Sequence, residues 1–336
     1  MMRVTKGGPV AEDADLELPR GVALAWGVAA DPQRGPKREM SVEKIVDAAV
    51  ELADAEGLGA VSMAAVAARL GYTPMSLYRY VSAKDDLTLL MQESATGLPP
   101  ASVREIEGWR ERLNAIFRAQ LDIYLRHPWM LDIPITGSPT TPNSSAWMDV
   151  TLDALRDTDL TEEERLAVTL LVTGHVRWYG TILAAYANVG RTTGRTPEQI
   201  TAHEAALFDA LISAEEYPAL RRAVDAGVFL SATDPFTFGF ERVLDGIAAY
   251  LAAIAVDGHR PLRPEWVVLA DADVAGDKKY REAHKAVREA EKALRDALKL
   301  ERIAARDARE RLARHTGPDR LSSQQSHGFT RVAPTP

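Results

Sequence analysis

The sequence predicts an all-α protein, and three observations support that fold class. Past Pro36, apolar residues recur every three to four positions through most of the chain, which is the period of a helix with one buried face. Serine, threonine or aspartate precedes these runs and glycine follows several of them, as at helix ends. No segment combines period-two alternation with an excess of β-branched residues, so strands are not expected.

Two helices open this pattern. The first covers residues 41–56, where apolar side chains lie at helical spacing and Gly57 occupies the expected C-cap position. The second begins at Ser62, a plausible N-cap, and ends at Gly71. Their shortness and proximity favour a small packed unit.

Two further short helices follow directly. Thr73 offers an N-cap oxygen and Pro74 fits the first helical position, which predicts a third helix that runs to Val81. The spacing of Ser82 and Asp85 is that of a capping box, which predicts the start of a fourth helix. Three short helices and a longer exit helix therefore lie close together in the chain.

Longer helices are expected in the rest of the chain. A capping-box spacing at Ser102 and Glu105 predicts a helix that ends before His127 and Pro128. Residues 277–314 are rich in alanine, lysine, arginine and glutamate, which predicts one charged helix, either single or paired with another helix. The other predicted helices cover residues 147–156, 161–188, 198–213, 217–226 and 234–256.

Composition excludes several classes of protein. The chain is 46% hydrophobic and 26% charged, unlike a disordered or collagenous protein, and its longest uncharged apolar stretch, residues 178–190, is too short for a membrane helix. Zero cysteines exclude disulfides and thiolate metal sites. The apolar run at 22–30 follows acidic residues rather than a basic region, so we expect a cytoplasmic protein whose N-terminal extension is mobile or docks through Leu24 and Trp26.

Residues 62–81 have the spacing of a helix-turn-helix, with Gly71, Tyr72 and Thr73 at the bend. Such a unit places its second helix in the DNA major groove, with the residues near that helix's N-terminus facing the bases. Leu77 is expected to pack back on the preceding helix. Spacing alone leaves a helical hairpin inside a larger bundle as the alternative.

The same residues carry a family resemblance. Segments 48–57, 61–63 and 66–71, and above all Pro74-Met75-Ser76-Leu77-Tyr78-Arg79-Tyr80-Val81 followed by Lys84-Asp85-Asp86-Leu87, resemble the N-terminal domain of the tetracycline-repressor (TetR/AcrR) family of bacterial regulators. The resemblance covers roughly residues 41–92. It implies a homodimer in which each subunit has a three-helix DNA-binding domain and a larger helical domain that binds a small-molecule inducer.

The resemblance also implies a set of DNA-contacting residues. Tyr78 and Tyr80 align with aromatic positions near phosphates, and Lys84 matches a lysine that holds a phosphate at a helix start. A basic segment before the first helix resembles a DNA-binding arm, with a solvated linker as the alternative. The candidate DNA contacts are Arg34, Lys37, Arg38, Ser62, Thr73, Pro74, Met75, Ser76, Tyr78, Arg79, Tyr80 and Lys84.

Aromatic and polar residues further along the chain are the candidate ligand pocket, because they bracket the usual ligand cavity of the family and supply apolar walls with a few polar groups. Plain core packing is the alternative for each of them. Residues 166–186 and 238–254 are expected to form the dimer interface, or else a core within the monomer. The candidate pocket residues are His127, Trp129, Met130, Trp147, Met148, His175, Arg177, Trp178, Tyr179 and Tyr186.

These observations predict a ligand-responsive repressor that leaves a near-palindromic operator when a hydrophobic or aromatic inducer binds. An activator of the same fold and a helical small-molecule carrier without DNA function are the alternatives. Because metalloprotease, phosphate-loop and hydrolase-elbow motifs are missing, we expect no enzyme, no cofactor, no metal site and no membrane partner. The formal net charge of −8 argues against a DNA partner only if charge is averaged over the whole chain, because residues 277–336 alone carry a net charge of +6.

The predicted organisation has six parts. An N-terminal extension (1–33) precedes the helix-turn-helix domain (34–92) and the ligand-binding and dimerisation domain (93–260). A linker (261–276), a charged helical extension (277–314) and a disordered tail (315–336) complete the chain.

Overall fold

The computed structural model describes residues 18–28, 40–137, 140–231, 233–258, 260, 274 and 276–315. Within these ranges the chain is helical and contains no strand, which confirms the all-α prediction. None of the helices described is both long and apolar enough to cross a membrane. The α-helices are α1 (Arg20–Ala25), α2 (Val42–Glu56), α3 (Met63–Leu70), α4 (Pro74–Leu77), α5 (Lys84–Thr96), α6 (Trp109–Arg126), α7 (Pro142–Ala154), α8 (Glu162–Thr193), α9 (Pro197–Leu211), α10 (Pro218–Asp225), α11 (Pro235–Asp257) and α12 (Lys278–His315).

Three helices begin where the sequence predicts. The Ser41 hydroxyl accepts a hydrogen bond from an amide in the first turn of α2, and the Ser62 hydroxyl does the same for α3. At α8, Thr161 and Glu164 form a reciprocal capping box, in which each side chain accepts a bond from the backbone amide of the other. These bonds satisfy amides that a helix start leaves without partners.

Other predicted boundaries are wrong. The capping box at Ser82 does not form, because α5 begins one residue later with Ala83 at its N-cap. Ser102 lies in the 3-10 turn Ala101–Glu105, and α6 starts only after Gly108. Helix α4 ends at Leu77 rather than at residue 81. The Thr73 hydroxyl does not cap α4; instead the Thr73 carbonyl oxygen accepts a hydrogen bond from the Ser76 hydroxyl.

The later helices also differ from their predicted limits. Helix α7 starts at Pro142, five positions before the predicted residue 147, and α8 continues to Thr193, five residues past its predicted end at 188. Proline at the first helical position opens α7 and α9, where its missing amide costs nothing.

One hydrophobic core runs from α2 to α11. Leu77, Leu87 and Met91 are fully buried where α4 and α5 pack against α2 and α3. Further along, Phe117 of α6 stacks on Phe240 of α11 with ring centroids 4.2 Å apart. The core therefore continues without interruption from the helix-turn-helix into the larger helical region.

The N-terminal helix α1 is docked rather than free. The Gly21 amide donates to Asp86 Oδ1 at 2.9 Å, at the start of α5. The indole Nε1 of Trp26 donates to the Thr140 carbonyl oxygen at 2.6 Å. Val22 is buried and Leu24 packs partly against the core, so residues 18–28, the described part of the expected extension, are docked.

The C-terminal residues 261–336 form a compact unit of their own. Its described helix, α12, is the charged helix that the sequence predicts, and nearly all of its side chains are exposed. The predicted disordered tail lies almost entirely outside the described residues.

Candidate nucleic-acid interface and ligand cavity

Helices α3 and α4 form the predicted helix-turn-helix. Gly71 closes α3 in the left-handed region at φ +76°, a conformation that glycine adopts without strain. Leu77 is fully buried, as expected, while Met75 is 70% exposed. The exposed edge of α4 and the following turn also includes Thr73, Pro74 and Arg79, whereas Ser76 is partly covered.

The two tyrosines of this segment have different environments. Tyr78 is 45% exposed and remains available to a phosphate. Tyr80 is only 8% exposed and belongs to the core, which corrects its placement among the DNA contacts. The reason is that α4 ends at Leu77, so the turn that follows directs Tyr80 and Val81 inward.

Lys84 is the first residue of α5 and is exposed. Ala83 at the N-cap makes no side-chain hydrogen bond to the amides of the first turn. Asp86 in the same turn is engaged by α1. The Ser62 hydroxyl accepts a hydrogen bond from the Ala65 amide of α3. The predicted contacts Arg34, Lys37 and Arg38 lie outside the described residues.

A cavity of about 730 Å³ lies among α5, α6, α7, α8 and the loop around residues 133–141. Four predicted pocket residues, Met130, Trp147, Met148 and Arg177, line it. Sequence reasoning missed the others, although Gln120 and Tyr124 are one helical turn apart on α6 and therefore share a face. Residues missed on the cavity wall include Leu89, Gln92, Thr96, Gln120, Ile123, Tyr124, Ile133, Ile135, Ser144, Thr169, Leu170 and Thr173.

Polar side chains are interspersed among the apolar ones on this wall. The Arg177 guanidinium donates to the carbonyl oxygens of Leu131 (3.1 Å) and Ile133 (2.7 Å), which fixes the loop at the cavity edge. Burial raises the pKa of the neighbouring Tyr124, and Arg177 only partly opposes that effect. The buried Oε1 of Gln120 has no hydrogen-bond partner among the described residues.

Four of the predicted pocket residues lie elsewhere, between α8 and its neighbours, which corrects their assignment. Tyr179 stacks on Phe236 of α11 at 4.4 Å, and burial together with its bond to Asp234 raises its pKa to about 12. His175 and Trp178 belong to the same aromatic cluster. Tyr186 bonds to Glu204 of α9. These side chains hold α8 against α9 and α11 and are not among the cavity-lining residues.

The last two predicted pocket residues connect the larger helical region to the helix-turn-helix unit. Trp129 Nε1 donates to Asp54 Oδ1 at 2.7 Å, and His127 Nδ1 lies 2.8 Å from the same oxygen. Asp54 belongs to α2, the first helix of the helix-turn-helix unit. Because Met130 lines the cavity, the 3-10 turn Pro128–Asp132 contacts the cavity on one side and α2 on the other.

Comparison with known proteins agrees with this arrangement. Residues 45–91 match the family described as "Bacterial regulatory proteins, tetR family", and residues 103–251 match the "Tetracyclin repressor-like, C-terminal domain". An HTH-type transcriptional repressor, DrrR1 of Streptomyces coeruleorubidus, is 31% identical over 249 residues, which cover 74% of this chain and 92% of that protein. The chain belongs to the TetR family.

Two further proteins match this chain at lower identity. An HTH-type transcriptional regulator of Saccharopolyspora erythraea is 28% identical over 67% of this chain and 90% of its own length. The structure of Streptomyces coelicolor ActR in complex with actinorhodin matches with a TM-score of 0.51 and 23% identity, over 66% of this chain and all of that one. At this identity the match shows the shared fold. Helices α1 and α12 of this TetR-family chain lie outside both matched ranges.

Proposed function

We propose that this TetR-family protein is a homodimeric repressor that leaves a near-palindromic operator when a small apolar ligand fills its cavity. The exposed edge of α4 supports the DNA-binding half of this proposal, because two such helices read half-sites about 34–36 Å apart in a dimer. The repressor name of its 31% identical relative favours repression over activation.

The observation that carries the proposal is that the 3-10 turn Pro128–Asp132 contacts both the cavity and α2. A ligand in the cavity contacts Met130, and the adjacent Trp129 is bonded to Asp54 of the helix-turn-helix unit. A displacement of the turn therefore moves α2, and with it the spacing between the two α4 helices. To shift the population from 1:99 to 99:1, the ligand must prefer the released state by roughly 5.5 kcal/mol.

The cavity indicates the chemical class of the ligand. Its volume of about 730 Å³ suits a drug-sized molecule, and its walls are mainly apolar. The buried acceptor of Gln120 favours a ligand that also carries a hydroxyl or amine hydrogen. Polycyclic aromatic molecules with a phenolic hydroxyl have both properties, and the fold is shared with ActR, whose structure is known in complex with actinorhodin.

Exposed apolar side chains support the homodimer. On α8, Leu166, Leu171 and Trp178 are 40–57% exposed, and Phe238 of α11 is 58% exposed. An apolar surface of this kind is typical of a subunit interface. We expect Phe238→Glu to shift the protein from dimer to monomer in sedimentation equilibrium, and an unchanged dimer would place the interface elsewhere.

Selection of DNA from random oligonucleotides tests the operator. We expect a two-fold-related motif, whereas the absence of any selected motif would leave a small-molecule carrier. Arg79→Ala and Lys84→Ala are expected to weaken binding to that motif in a gel-shift titration. Arg118→Ala serves as the matched control, because it removes the same charge from an exposed site on α6, in the larger helical region.

Two measurements test the ligand and the direction of regulation. Mass spectrometry of ligand retained by the purified protein identifies candidates, which are then titrated into the operator complex, and release is the expected result. A reporter gene behind the selected operator distinguishes repression from activation. Because the operator lies on the chromosome of a bacterial cell, we propose a cytoplasmic location and a role in binding rather than in catalysis.

A further inference from the structure

The strongest charged pattern outside the helix-turn-helix lies on α12. Ten basic residues follow one another at alternating spacings of three and four, from the first residue of the helix to near its end. All ten are exposed. This basic row consists of Lys278, Arg281, Lys285, Arg288, Lys292, Arg295, Lys299, Arg302, Arg306 and Arg309.

Helix geometry keeps the row on one side of α12. Residues that recur every 3.5 positions drift by about 20° per heptad on a helix with 3.6 residues per turn, or about a quarter turn over the whole row. At 1.5 Å per residue the row is about 46 Å long. The helix has 13 basic and 7 acidic residues, and three of the 13, Lys279, Arg311 and Arg314, lie off the row.

We propose that this basic row is a second DNA-binding surface, which contacts the phosphate backbone without reading sequence. Double-stranded DNA carries one negative charge per 1.7 Å, so about 27 phosphate charges lie along a duplex as long as the row. The proposal depends on the proposed function in one respect, because the helix-turn-helix brings DNA close to the chain.

Other occupants fit the helix less well. A membrane-surface helix needs a continuous face of large apolar side chains opposite its basic face. On α12 that face carries Tyr280, Val287 and Leu294, but Glu301 interrupts the series and the neighbouring positions 283, 290, 297 and 304 are all alanine. Pairing of two helices through the row would place like charges together. Residues 1–276 carry 39 acidic and 25 basic residues, so their net charge is negative and attracts the row. That negative charge is spread over a large surface, however.

Two ion pairs between the row and acidic residues of α12 are long and exposed. Lys278 pairs with Glu282 at 3.9 Å and Lys285 with Glu289 at 3.7 Å, and all four side chains are more than half exposed. Ion pairs this long and this exposed are weak, so a phosphate can replace the carboxylate at little cost.

A matched pair of triple variants of the full chain tests the proposal. Arg281→Gln, Arg288→Gln and Arg295→Gln remove three charges from the row, and Lys279→Gln, Arg311→Gln and Arg314→Gln remove three from outside it. Glutamine keeps a helix propensity close to that of lysine and arginine, and circular dichroism checks that the helix persists. The readout is the salt dependence of binding to a random-sequence duplex.

Each phosphate contact contributes about 0.9 to the slope of log K against log salt, so the row variant is expected to lose about 2.7 for each α12 that contacts DNA. The off-row variant should lose clearly less. Equal losses, no loss in either variant, or a loss confined to anionic phosphatidylserine vesicles would overturn the proposal. Selection of an operator is scored separately, so failure of the row leaves the repressor proposal standing.

Discussion

The contact between Asp54 and the 3-10 turn supports a quantitative prediction. In Asp54→Ala, the indole Nε1 of Trp129 loses its acceptor while the side chain stays 2% exposed. A buried donor left without a partner costs about 1–3 kcal/mol, so we expect the free energy of unfolding to fall by about 2 kcal/mol. For a body of this size that corresponds to a Tm lower by about 4–8 °C.

Two controls separate this contact from a general effect of charge. Asp54→Asn keeps an oxygen that accepts from Trp129 and should lose less than half as much stability. Glu51→Ala removes a carboxylate from the exposed side of the same helix, where its ion pair with Arg69 is worth at most about 1 kcal/mol. Urea denaturation followed by circular dichroism measures all three variants.

The same variants test the proposed coupling. We expect Asp54→Ala to keep much of its operator affinity without ligand but to show a smaller ligand-induced loss of that affinity. Unfolding of Asp54→Ala within about 0.5 kcal/mol of the parent chain, the spread typical of a surface change, would refute the energetic reasoning. A full ligand response in this variant would show that the turn does not connect the cavity to α2.

Three further predictions concern the scaffold. Arg112 is buried and donates to the carbonyl oxygens of residues 103, 104 and 153 and to the Asp153 carboxylate. We expect Arg112→Met to lower the free energy of unfolding, measured with denaturant, by about 3 kcal/mol. A decrease of less than about 1 kcal/mol would contradict this role. Burial alone would raise the pKa of Glu164, but hydrogen bonds from Tyr250, the Thr161 amide and Arg260 lower it to about 2. Its stabilising contribution is therefore complete above about pH 4.5 and is lost as the pH falls toward 2, and Glu164→Gln should flatten thermal stability in that range. A Cβ at Gly21 would lie 2.9 Å from Asp86 Oδ1 and 3.2 Å from its Cα, so Gly21→Ala should release α1 and speed proteolysis of the N-terminal segment, unlike Gly59→Ala, where the Cβ meets open space.

The helices were predictable where local chemistry decides them. Ser41, Ser62 and Thr161 cap helices because the residues that follow form strong helical patterns, and each hydroxyl has an amide within reach. The boxes at Ser82 and Ser102 have the same spacing but fail, since tertiary packing starts α5 and α6 elsewhere. A four-residue pattern carries too little information to resist that packing.

The cavity was less predictable than the fold. Met130, Trp147 and Arg177 line it, but His175 and Tyr179 lie against α11, although all five are polar-tipped or large apolar residues near the same helices. Which face of a long helix meets a cavity depends on its rotation against its neighbours, and composition does not encode that rotation. Likewise, the motif predicts Tyr80 on the DNA side, while the early end of α4 buries it.

Docking of α1 joins two distant parts of the chain. The Gly21 amide donates to Asp86 in the first turn of α5, and the Trp26 indole donates to the carbonyl oxygen of Thr140, a residue of the cavity wall. Helix α1 is therefore a second connection, besides the 3-10 turn Pro128–Asp132, between the cavity and the helix-turn-helix domain.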